Sequence, residues 1–141
     1  MLLLAVLGAT ALSSLPSLSF TVPPDGHKFG SSVVVDDCDR AEAQFGCASR
    51  LLLAGHDKEG VEAMRSAAAG GDNRARRALG LMLIRGEYLP RDQAEAVRWF
   101  LSAAGHGDRA SMAILATLYR DGIGTAPDPR KAALWQSRAA R

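Results

Sequence analysis

Between Asn73 and Arg85 the small and apolar residues Ala75, Ala78, Leu79, Met82 and Leu83 fall at i, i+3, i+4, i+7 and i+8. That spacing lines one face of a helix. Gly86 follows where a glycine would close it, and Glu87 to Arg91 form a turn. Asp92 then stands as an N-cap with Glu95 three residues on, the pattern of a capping box. The helix predicted after it carries Ala96, Val97, Trp99, Phe100, Ala103 and Ala104, and stops at Gly105-His106-Gly107.

This pair of helices recurs. Shifting the chain against itself by 36 residues matches Asp72 with Asp108, Leu79 with Leu115, Gly86 with Gly122, Asp92 with Asp128 and Trp99 with Trp135. Ala96, Ala103 and Ala104 likewise meet Ala132, Ala139 and Ala140. In the later unit Pro129 takes the first helical position, where its missing N–H costs nothing. A degenerate unit comes first. Ser66 to Asp72 mirrors Ser102 to Asp108, and a helix over about 40–54 carries Ala48, Leu51 and Leu52 and ends at Gly55. Its turn is about five residues shorter, which places Asp57 as the cap of a helix over 58–69; Ala63 and Met64 stand where the later units have tryptophan. A period in the thirties with two helices per unit marks a helical-repeat solenoid, whose terminal repeat is expected to be atypical.

These residues resemble the Sel-1-like repeat family, a relative of the tetratricopeptide repeat. The second unit supplies Ala75, Leu79, Gly80, Gly86, Asp92, Ala96, Trp99, Ala103 and Ala104. The third supplies Leu115, Tyr119, Gly122, Gly124, Asp128, Lys131, Ala132, Trp135, Ala139 and Ala140. Ser111, Ala116, Leu83 and Glu95 depart from the family pattern. The resemblance implies an all-α, right-handed superhelix of about three helix-turn-helix units, with first helices lining a concave, ligand-presenting face. The expected units are 40–71, 72–107 and 108–141.

The pattern before residue 40 is different. Residues 1–20 carry no charge and open on the apolar run from Leu2 to Leu7, with small residues following. A secretory signal peptide over 1–19 is the expected reading, cleaved after Ala11 or after Ser19, although no positive residue precedes the apolar run. A mis-assigned start or a buried N-terminal strand is the alternative. The apolar run is too short to span a bilayer, so no integral membrane segment is expected in the mature chain. Residues 20–39, rich in Pro, Gly and Val, are expected to form an extended arm. Export places the mature protein in the periplasm or outside the cell.

Composition adds little to this. The 141 residues suit one domain, and 25 alanines with 6% aromatics favour closely packed helices. A net charge of +2 is too weak to argue for nucleic acid, and export would remove the chain from it.

Candidate chemistry is sparse. Cys38 and Cys47 permit one disulfide in an oxidising compartment. Nine residues of helix would hold them roughly 13 Å apart, so a bridge requires Cys38 to lie outside the helix and turn back. Free buried cysteines, or a metal or redox role, are the alternatives. His27, His56 and His106 lie in the arm or in turns, and no cofactor or metal site is expected. Asp57, Asp92 and Asp128 share helix N-termini, which explains them as caps. Trp99 and Trp135 are read as wedges between successive helix pairs, with Asp92, Asp128, Gly86 and Gly122 in structural roles.

The side of the first helix left free by the core pattern carries Arg74, Arg77, Leu81 and Ile84, and in the next unit Ala113, Thr117 and Arg120. The expectation is a shallow, partly apolar groove with basic edges that takes a peptide or an acidic protein surface. The expected function is thus a non-enzymatic protein-binding or adaptor module of the cell envelope or exterior. A secreted hydrolase acting on cell wall or beta-lactams is one alternative. A structural accessory is another, with a dimer or partner docking on a solenoid end near Ala139 and Ala140.

Overall fold

The structure, a computed structural model, describes residues 44–141. The expected signal peptide, the arm and Cys38 lie outside them. Six helices follow one another: α1 (Gln44–Leu53), α2 (Asp57–Ala69), α3 (Asn73–Arg85), α4 (Gln93–Gly105), α5 (Arg109–Asp121) and α6 (Pro129–Ala139). They form three hairpins, α1 with α2, α3 with α4 and α5 with α6, and the hairpins stack through α2 on α3 and α4 on α5. The result is an all-α solenoid of three helix-turn-helix units.

The 36-residue period is visible in the backbone itself. Asp92 and Asp128, at the start of each second helix, have the same φ of −140° and ψ of 94°. Asp72 and Asp108, at the start of each first helix, have φ of −70° and −71°. All four carboxylates accept hydrogen bonds from the first free N–H groups of their helices, which an isolated helix start leaves unpaired. The capping box at Asp92 is half made. Asp92 accepts from the Glu95 N–H at 2.8 Å, but Glu95 turns its carboxylate to Trp99 Nε1 at 3.1 Å, and the Asp92 N–H donates to the Leu83 carbonyl instead.

Asp57 does not cap α2. It is the first residue of that helix; His56 occupies the cap position without a side-chain hydrogen bond. The short turn is the cause, because residues 54–56 alone join the helices and draw Asp57 into the first turn. There its charge acts only on the helix dipole. The same short turn brings α1 and α2 together near their junction. A β-carbon at Gly60 would lie 2.7 Å from the Leu52 side chain, whereas the equivalent positions in the longer-turned units are Ala96 and Ala132.

Two apolar clusters form the core. One joins α1, α2 and α3 around Ala48, Met64 and Leu79; the other joins α3 to α6 around Leu83, Phe100 and Leu115. Trp99 is half-buried and packs against both, while Trp135 packs against the second only. The largest fully buried side chain is Phe100, next to Trp99.

Candidate protein-interaction surface

Of the seven residues expected to form the groove, Arg74 is exposed and the other six divide into two sets. In α3, Arg77 is half-buried, and its Nη1 donates to Asp108 Oδ1 at 2.6 Å. Leu81 and Ile84 are half-buried against the second core cluster. In α5 the equivalent residues Ala113, Thr117 and Arg120 are exposed. Repeat stacking accounts for the difference: α3 has a following unit beside it, and no described helix follows α6.

Arg77 therefore holds two units together. Asp108 caps α5, accepts from the Ser111 N–H at 3.0 Å and from the Ser111 hydroxyl, and takes Arg77 on its other oxygen. Burial pushes the Asp108 carboxyl up, but the bonds from Ser111 and Arg77 outweigh it and hold it below the usual carboxylate range. Ser111, at the position of the family's alanine, is fully buried, so its hydroxyl needs the partner that Asp108 supplies.

The other arginines of α3 also have internal partners. Arg74 donates to Asp72 at 2.9 Å, and its guanidinium lies 5.0 Å from the Phe45 ring centre. Arg76 donates to the Ala68 carbonyl and to Asn73, and lies 3.0 Å from His106 Nδ1. Arg120 pairs with its neighbour Asp121 at 2.8 Å and stays exposed. The basic edge of α3 is thus spent largely within the molecule.

Residues with open surface lie elsewhere, and the first is Leu53, which is 86% exposed. Once the shortened turn is allowed for, it occupies the place held by Ile84 and Arg120 in the next two units. A second open region is a depression of about 360 Å³ between α5 and α6, lined by Ala116, Arg120, Ala132, Ala133 and Gln136. Of these only Arg120 was expected from the sequence. Gln136 stands where the preceding unit has Phe100, a signal present in the 36-residue offset and overlooked there.

His56 and His106 are exposed turn residues, and His27 lies outside the described region. Among the described residues no three His, Cys, Asp or Glu side chains are grouped to hold a metal ion. No described helix is long and apolar enough to cross a membrane. Cys47 is fully buried in α1.

Known proteins agree with this architecture. The Sel1 repeat model matches residues 73–108 and 109–141. A Sel1 repeat protein from Oxalobacter formigenes superposes with a TM-score of 0.69 at 31% identity, over 77% of this chain and 86% of that one. A protective antigen of uropathogenic Escherichia coli, c5321, superposes with a TM-score of 0.66 at 28% identity, over 71% of this chain and 22% of that one. Cysteine-rich protein B of Helicobacter pylori shares the fold, with a TM-score of 0.63 at 19% identity over 72% of this chain and 80% of that one. No curated protein is similar enough to match. With its repeat spacing, its caps and a relative alike over most of both chains, the chain belongs to the Sel1 repeat family.

Proposed function

We propose that the chain is an exported, non-enzymatic module that binds a segment of another protein along its first helices. The observation that carries this reading is the row formed by Leu53, Ile84 and Arg120 at equivalent places in α1, α3 and α5. Leu53 keeps 86% of its surface in water, and Ile84 is half-exposed beside it in the repeat order. An apolar row closed by an arginine suits an extended or helical segment with apolar anchors and an acidic residue near one end. Within the expected groove, Leu81, Ile84, Thr117 and Arg120 serve contact. Arg77 serves the fold, and Arg74 is committed to Asp72.

The test is photo-crosslinking in the native compartment. A crosslinking residue at Leu53 or Thr117 is expected to trap a partner, and one at Glu62 or Arg98, exposed on the second helices, to trap none. Equal trapping from both sets overturns the assignment of the face.

A further inference from the structure

Arg50 and Leu53 stand in α1 where α3 has Leu81 and Ile84. The α3 pair is half-buried against the second core cluster. Leu53 is 86% exposed, although its unit is followed by another just as that of Ile84 is. Arg50 is exposed too, and among the described residues it forms no ion pair. Cys47, Arg50 and Leu53 follow one another at i, i+3 and i+6, which is a ridge running obliquely across the helix. Along α1 an apolar side chain thus comes first from the far end, then an unpaired positive charge, then a cysteine.

The segment ahead of α1 has the matching order. Val33, Val34 and Val35 are followed by Asp36 and Asp37, and then by Cys38. Three β-branched residues in a row favour an extended backbone, and in an extended chain Val33, Val35 and Asp37 share one side. From Val35 to Cys38 such a chain advances roughly 10 Å. From Leu53 back to Cys47 the helix advances roughly 9 Å, with Arg50 halfway. We propose that Val33–Asp37 lies extended along this ridge, antiparallel to α1, with Val35 on Leu53 and the Asp37 carboxylate on Arg50. A bridge between Cys38 and Cys47 would hold the same register. Nine residues separate Val35 from Gln44, so the chain reaches Leu53 without the bridge as well.

One leucine and one exposed ion pair make a weak contact, but tethering compensates. A segment on so short a connection has a local concentration on the order of millimolar, and a contact with a Kd of about 1 mM is then half-occupied. Such a contact forms and releases. The segment is therefore an internal competitor at the Leu53 end of the row, displaced by a partner that also engages Ile84 and Arg120. That consequence rests on the row being a partner surface, whereas the docking itself does not.

The experiment uses the purified full chain with no partner present, so failure of the partner reading leaves its result standing. An aliphatic diazirine residue at position 53 keeps the side chain apolar and is expected to crosslink within the chain to the peptide containing Val33–Val35. The same residue at Glu62, on the exposed side of α2, should not reach that peptide. Arg50→Glu is expected to lower the yield about threefold, the scale of one exposed pair turned repulsive, with the circular dichroism unchanged. Adding Asp37→Arg should restore it, and Asp36→Arg, on the other side of the extended segment, should not. Absence of the crosslink overturns the proposal, as does a yield indifferent to Arg50→Glu or equal rescue from positions 36 and 37. A crosslink joining two chains would make a second copy the occupant and overturn it as well.

Discussion

The ring of Phe100 lies against the bare α-carbon of Gly80, where a β-carbon would come within 2.6 Å of Phe100 Cζ. Both residues are buried, Phe100 with no exposed surface at all. The pair sets how closely α3 and α4 approach. Gly80→Ala gains about 1 kcal/mol of helix propensity but forces the ring aside at about 1–3 kcal/mol, so the net change is destabilising. Phe100→Ala removes the ring and costs about 3–5 kcal/mol. Combined, the two changes should cost less than their sum, since alanine at 80 is harmless once the ring is gone. Urea unfolding of the four proteins checks this, and strict additivity would refute the coupling.

Arg77 and Asp108 give a second prediction. The Asp108 carboxyl titrates lower in the folded chain than in the unfolded one, so on acidification the unfolded chain takes up this proton first. The stabilisation it provides is complete above the unfolded carboxylate value of about 4 and is lost as the pH falls through the folded value. Asp108→Asn can still cap α5, yet it should remove part of the acid sensitivity. Comparing unfolding midpoints of the two proteins from pH 7 to pH 3 measures it. Curves that run parallel throughout would exclude a contribution from this pair.

A charge reversal at Arg77 is consequently a poor probe of binding. It would leave Asp108 facing a like charge in a half-buried contact, and a loss of about 2–4 kcal/mol is expected. Thermal unfolding of Arg77→Glu against Arg120→Glu separates the two roles. Only the first should lower the midpoint by more than a few degrees.

Tyr88 and Gly124 occupy the same place in successive turns and share a left-handed backbone, with φ of 63° and 70°. Gly124 has no alternative. A β-carbon there would run into the backbone carbonyl of Gln93 in the preceding unit. Tyr88 carries a side chain at the same place and is 48% exposed. Gly124→Ala should therefore cost about 2–3 kcal/mol, combining backbone strain with the clash. Tyr88→Gly should cost nothing measurable, because relief of the left-handed backbone offsets the flexibility gained by the unfolded chain. Destabilisation by Tyr88→Gly as large as that by Gly124→Ala would refute the explanation.

The repeat was legible in the sequence because caps and glycines must recur wherever the backbone recurs; Asp92 and Asp128 share both residue type and dihedral angles. Positions deciding contact between units were harder to read. Arg77 looks like a solvated arginine in a helical pattern, and only stacking brings Asp108 to it across 31 residues. The same holds for Leu81 and Ile84, which a single helix leaves outside but the next unit half-buries. Asp57 misled for a local reason. Its residue type suits a cap, but the length of the turn decided where the helix began.

The last prediction concerns the N-terminal side of the fold. Cys47 is fully buried near the start of α1, and the sequence holds one other cysteine, Cys38. If residues 1–19 direct export, both reach an oxidising compartment, where a bridge would tie the segment before α1 to the closed end of the solenoid. Closing so short a loop is worth about 2–3 kcal/mol. Protein recovered from its native compartment should therefore lack the leader, weigh two hydrogens less than its reduced form, and unfold at lower urea after reduction. Cys38→Ser should reproduce the loss of stability, and adding a reductant to that variant should cause no further change. Intact mass spectrometry reads the leader and the bridge in one spectrum. Recovery of the unprocessed chain with both thiols reduced would rule out export and bridge together, and a processed chain with reduced thiols would rule out the bridge alone.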